Sequence, residues 1–172
     1  RLDSPFLEPD EVVAIARQYF LLPPDDARLE VVVGDAAEYV RLPRVNADVV
    51  VVDGYDAESQ VAALATLPFY RDCARVLGED GILVVNLWGG DRNYSECVAR
   101  ISAAFGQRVL CLPAGKPGNI AVFAFTRGQD RPTWVELHRR AQALEPHCGL
   151  PFGQFVEDFK ALNAHDATHL FI

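Results

Sequence analysis

Methionine is missing from all 172 residues of this sequence, an absence that suggests part of the protein is not written in it. Paired cysteines are missing too. Cys73, Cys97, Cys111 and Cys148 stand far apart, with no Cys-x-x-Cys spacing. That excludes the usual zinc patterns and a disulfide framework, so no metal is expected and a reducing, cytoplasmic compartment is. No apolar run exceeds strand length, Val49-Val50-Val51-Val52 being typical. A membrane helix needs roughly 20 such residues, so no membrane partner is expected. No charged segment followed by an apolar one opens the chain, and a secretion signal is not expected. Basic residues are outnumbered, 16 against 24 acidic, giving a net charge of −8. Nucleic-acid binders carry the opposite footprint, so that partner is excluded. An acidic surface favours the approach of a cationic small molecule, and it equally serves solubility. Internal repeats and low-complexity stretches are also lacking.

What is present alternates between two periodicities. Glu11 to Phe20 carries acidic residues at its start and apolar residues at helical spacing, and stops before Pro23-Pro24. Residues 29–33 read as a strand and residues 35–40 as a short helix. Residues 47–52 form a continuous apolar run, the pattern of a strand buried on both faces of a parallel sheet. A helix over 67–77 follows, with Pro68 in its first turn and Gly78 past its end. Residues 81–87 are a second apolar strand and 94–105 an amphipathic helix. Strands at 108–112 and 120–126, joined by a Pro- and Gly-containing loop, suit an antiparallel hairpin. Helices at 132–144 and 152–162 close the chain.

This order predicts an α/β fold. We expect a doubly wound, Rossmann-like sheet of the S-adenosylmethionine-dependent methyltransferase type, mostly parallel with a C-terminal antiparallel hairpin, as a single domain over 1–172.

In such sheets ligands bind at the carboxyl ends of the strands. Acidic residues fall there: Asp35 after Val31-Val32-Val33-Gly34, and Asp53 and Asp56 after the run 49–52. Gly34 lets the backbone approach a flat ligand, and a carboxylate at Asp35 can accept from an exocyclic amine such as adenine N6. Asp53 and Asp56, three apart on a turn, can face one pocket, where one acts as a base and both attract a cation. The alternative is that each strand-end Asp caps the next helix or turn.

The segments Val32-Val33-Gly34-Asp35-Ala36-Ala37-Glu38-Tyr39, Asp48 to Asp56 with Asp53-Gly54-Tyr55-Asp56 at its end, and 67–86 resemble spermidine synthases, closest to the divergent bacterial spermidine synthase-like branch. The resemblance runs through Phe125, and the tail around Gly149-Leu150-Pro151-Phe152 shares it. It implies transfer of an aminopropyl group from decarboxylated S-adenosylmethionine, as co-substrate, to a polyamine, with release of methylthioadenosine. By the same resemblance Asp53 matches the catalytic acidic position, the base that accepts a proton from the attacking ammonium, and also faces the donor. Asp56 and Tyr55 bind the acceptor, and Asp35 and Ala36 hold adenine. Glu8 holds the ribose hydroxyls, or else is an ordinary first-turn helix residue. Partners implied are small-molecule polyamine and nucleoside substrates and a homodimer.

The family's Gly-rich loop has no counterpart. Arg1 to Phe6 looks like the segment before the first strand, and Leu7 to Val13 like the end of the second. The strand, loop, helix and strand that belong between them need roughly 40 to 60 residues. We expect the sequence to be joined across a missing stretch there, and a chain without it to be inactive. On the acceptor side, a Gln-containing turn is replaced by Asn86-Leu87-Trp88-Gly89-Gly90, and a Tyr-Pro-x-Gly by Ala114-Gly115-Lys116-Pro117-Gly118. Lys116 pointing inward would repel a polyamine. Trp88 is either a pocket wall or packing. These changes keep two further readings open: a methyltransferase, and a non-catalytic nucleoside-binding paralogue. His165 and His169 lack the Glu of a His-Glu-x-x-His zinc helix.

Overall fold

A computed structural model describes residues 8–55, 61–115, 118–128 and 131–172. The chain divides into two compact units, Arg1–Tyr39 and Val40–Ile172.

In the first unit, α1 spans Pro9–Tyr19. Pro9 opens it where a missing N–H costs nothing, and Asp10 and Glu11 complement the positive helix end. The Glu8 backbone N–H donates to Glu11 Oε2 at 2.9 Å. Helix α2, Ala36–Tyr39, is a single turn. Residues 29–33, expected as a strand, pair with no other described strand. Val32 and Val33 are correspondingly exposed. A β-forming sequence becomes a strand only against a neighbour that takes its N–H and C=O groups.

The second unit runs β1 (Ala47–Val52), α3 (Leu67–Val76), β2 (Leu77–Trp88), α4 (Tyr94–Ala104), β3 (Val109–Pro113), β4 (Asn119–Phe125), α5 (Trp134–Cys148) and α6 (Phe152–Asp158). A 3-10 turn, Ala62–Ala65, precedes α3. The sheet order is β1-β2-β4-β3. Strands β1 and β2 are parallel, with α3 between them in sequence. The β2–β4 and β3–β4 pairs are antiparallel, so the expected α/β class and terminal hairpin are both present. Parallel pairing is confined to β1–β2 among the described residues, because residues 29–33 stay outside the sheet.

Helix α3 starts where Thr66 Oγ1 accepts from the Phe69 N–H at 3.2 Å, a side-chain cap on a free helical donor. It buries Phe69, Tyr70, Cys73 and Val76. Strand β2 begins at Leu77, before the expected Gly81. Its exposed, polar opening at Gly78, Glu79 and Asp80 concealed it in the sequence.

Alternation along the strands divides the core. Leu83, Val85 and Leu87 of β2, with Val122 and Ala124 of β4, are buried on one face. Helices α3 and α4 bury their own apolar residues, Tyr70, Cys73 and Ile101 among them. On the other face Leu110, Phe123 and Phe125 pack with Trp134, Ala141, Val156 and Leu170. Strand β1 departs from expectation: Val49 and Val51 are 53% and 70% exposed. No described element of this unit covers them, so β1 is buried on one face only.

Candidate active site

The parallel register builds the site. Val49 pairs with Ile82, and Val52 with Val85. The next residues, Asp53 and Asn86, therefore emerge side by side at the carboxyl ends of the two strands. Asn86 Nδ2 donates to Asp53 Oδ1 at 2.9 Å. Asp53 Oδ2 has no partner among the described residues.

Two residues further along, Tyr55 and Trp88 continue the same offset. The Tyr55 hydroxyl donates to the Asn86 carbonyl at 3.1 Å and accepts from the Trp88 backbone N–H at 2.7 Å. The phenol thus fastens the loop after β1 to the end of β2. Burial pushes its pKa up; the Trp88 N–H opposes the rise, while the Asp91 and Asp53 carboxylates add to it.

Beside Tyr55 opens a cavity of about 210 Å³, lined among others by Trp88, Asp91, Tyr94, Glu96 and Arg100. Arg100 is paired with Glu96 and donates to the Ala65 carbonyl. Asp91 Oδ1 accepts from the Asn93 N–H at 2.7 Å.

In the first unit, Asp35 Oδ1 accepts from the N–H groups of Ala37 and Glu38, at 2.7 and 3.2 Å. It caps α2, as the structural alternative foresaw, and Ala36 is the first residue of that turn. Glu8 sits at the N-cap of α1, at a helix start. Asp56 and Lys116 lie outside the described residues.

Neither the pairing of Asn86 with Asp53 nor the position of Asp91 beside the cavity is marked in the sequence. The first depends on register between strands 33 positions apart, and no local pattern marks it. The tail histidines have structural roles. His165 stacks edge-on against Trp134. Asp166 accepts from the Thr168 and His169 N–H groups, at 2.7 Å each. These bonds hold its pKa down at about 2. No His, Cys, Asp and Glu group suited to a metal occurs among the described residues. Nor is any described helix long and apolar enough to cross a membrane.

Comparison with known proteins gives a consistent result. The family model described as "Spermine/spermidine synthase domain" matches residues 10–99. A polyamine aminopropyltransferase of Chromobacterium violaceum is 41% identical over 94% of this chain and 62% of its own length. The chain thus spans somewhat under two thirds of that relative. A spermidine synthase solved with the transition-state analogue AdoDATO superposes with a TM-score of 0.57. It is 29% identical, over 68% of this chain and 44% of its own. Human methyltransferase-like protein 13, solved with SAH, superposes at 0.68 over 92% of this chain and 71% of its own. At 19% identity it shares the fold.

Proposed function

Because the chain belongs to the spermine/spermidine synthase family, we propose that the protein transfers an aminopropyl group from decarboxylated S-adenosylmethionine to a polyamine amine, with Asp53 as the base. The observation that carries this is the placement of Asp53 at the carboxyl end of β1, with one oxygen held by Asn86 and the other without a partner among the described residues.

An ammonium has no lone pair and cannot attack. In the proposed step the free oxygen of Asp53 takes a proton from the acceptor. The exposed nitrogen lone pair then attacks the methylene beside the donor's sulfonium. The new N–C bond forms as the C–S bond breaks, its electron pair returns to sulfur, and methylthioadenosine leaves. Alignment of the two substrates supplies much of the rate, since it converts an encounter into an intramolecular geometry. The net charge of −8 assists approach of a cationic acceptor.

On the donor side we assign adenine to Asp35 and Ala36 and the ribose hydroxyls to Glu8. Asp35 keeps Oδ2 without a partner among the described residues while Oδ1 caps α2. Asp56 and Tyr55 are assigned to the acceptor. The exposed Val49 and Val51 support the further proposal that the natural protein carries additional sheet strands, with the Gly-rich loop between them, in a stretch between residues 6 and 8.

Methyl transfer is the second reading, favoured by the shared fold with a methyltransferase-like protein. The products separate the two. Natural full-length protein, given both intact and decarboxylated S-adenosylmethionine and a panel of amines, is expected to release methylthioadenosine. Release of S-adenosylhomocysteine instead would establish methyl transfer.

A further inference from the structure

Backbone pairing between β1 and β2 ends at Val52 and Val85. In a parallel pair, a residue donates its N–H to the carbonyl of the residue before its partner. It accepts from the N–H of the residue after that partner. Continued in the same register, Gly54 would lie opposite Leu87 and meet the Asn86 carbonyl and the Trp88 N–H. It does not. The Gly54 carbonyl accepts instead from the Val61 N–H at 3.1 Å. Leu64 packs closely over this turn, since a Cβ on Gly54 would stand 2.6 Å from its Cδ1.

The vacated rung is filled by a side chain. The Tyr55 hydroxyl donates to the Asn86 carbonyl at 3.1 Å and accepts from the Trp88 N–H at 2.7 Å, the same two groups. One oxygen thus replaces a backbone N–H and C=O together, and both groups of β2 are satisfied. Burial raises the phenol pKa above its ordinary value, so the O–H stays on and the rung keeps its donor. The hydroxyl is directed at the backbone of β2 in both bonds, while the ring lines the cavity. Asn86 is consequently held at two points. Tyr55 fixes its carbonyl, and its side-chain amide bonds Asp53 Oδ1 at 2.9 Å.

We propose that Tyr55 is a positioning residue for the base, its hydroxyl standing in for the missing backbone rung and holding Asn86, and through it the Asp53 carboxylate, in alignment. The proposal rests on the reading of Asp53 as the base and goes beyond the assignment of Tyr55 to the acceptor. The hydroxyl touches no reacting atom; it acts on the rate through Asn86.

The test compares natural full-length protein with its Tyr55→Phe, Asn86→Ala and double variants. Steady-state kinetics are measured with decarboxylated S-adenosylmethionine and 1,4-diaminobutane. Phenylalanine keeps the ring and removes only the hydroxyl. Tyr55→Phe is expected to lower kcat about tenfold while KM for each substrate stays within about twofold. Because both residues act along one path, the double variant should lose little more than Asn86→Ala alone. An unchanged kcat, a loss carried mainly by the diamine KM, or losses that multiply in the double variant would each overturn the proposal. A readout without turnover separates the rung from the fate of the reaction. In NMR spectra, Asp53→Asn should shift the side-chain amide signals of Asn86. In a Tyr55→Phe background that shift should fall at least about threefold. Should the wild type release no methylthioadenosine, the assignment of Asp53 as base falls, and these spectra decide the rung. A diminished shift upholds it, and an equal shift in both backgrounds removes it.

Discussion

Asn86 Nδ2 and Asp53 Oδ1 lie 2.9 Å apart at the carboxyl ends of two parallel strands. The bond follows from the register that pairs Val52 with Val85. An amide donor on one oxygen fixes the carboxylate plane. Asn86 is in this account a positioning residue for the base. Replacing it with Ala is expected to lower kcat by about ten- to a hundredfold through misalignment. Stability should change little, since the pair is exposed. Asn86→Asp sets a second carboxylate beside the first. Like charges disfavour ionisation, so the acid limb of the pH–rate profile should move to higher pH. An unmoved limb would remove Asn86 from this role.

Stability in the C-terminal part depends on another amide. Asn163 Oδ1 accepts from the Cys111 N–H at 2.7 Å, and Nδ2 donates to the carbonyls of Cys111 and Phe159, also at 2.7 Å. One side chain thereby satisfies the outer edge of β3 and the end of the 3-10 turn Phe159–Ala161. Asn163→Ala leaves partly buried backbone groups unpaired. A loss of about 2 kcal/mol is expected from denaturant unfolding. Asn163→Asp retains the acceptor but sets a carboxylate oxygen against the two carbonyls, so its loss should be at least as large.

The open side of β1 makes a prediction about assembly. Val49 and Val51 project from a strand with only one described neighbour, and an exposed apolar edge templates association with other chains. The 172-residue chain is expected to self-associate, and Val51→Lys to suppress this in light scattering. In natural protein that carries the proposed additional strands, Val51 is covered. There the same substitution should destabilise the fold. An intact mass near 19.0 kDa for the natural protein would contradict that longer chain.

These elements also show what the sequence revealed. Apolar runs announced β1 and the core of β2, and the Pro- and Gly-containing loop announced the β3–β4 hairpin, because strand patterning and turn chemistry are local. Residues 29–33 have the same composition but no described strand to pair with, and composition alone cannot supply one. The strand-end position of Asp53 was legible from the apolar run before it. Its link to Asn86 was not, because register across 33 positions is a property of the assembled sheet. Asp35 was open to two readings, ligand residue or cap, and the structure shows the cap directly.

The most direct test of the central claim is methylthioadenosine release by natural full-length protein and its Asp53→Asn variant, measured with decarboxylated S-adenosylmethionine and a diamine. Asparagine can still accept from Asn86 but cannot take the acceptor's proton. The account predicts turnover by the wild type and a fall of at least about a hundredfold in the variant. Equal turnover by the two proteins would contradict it.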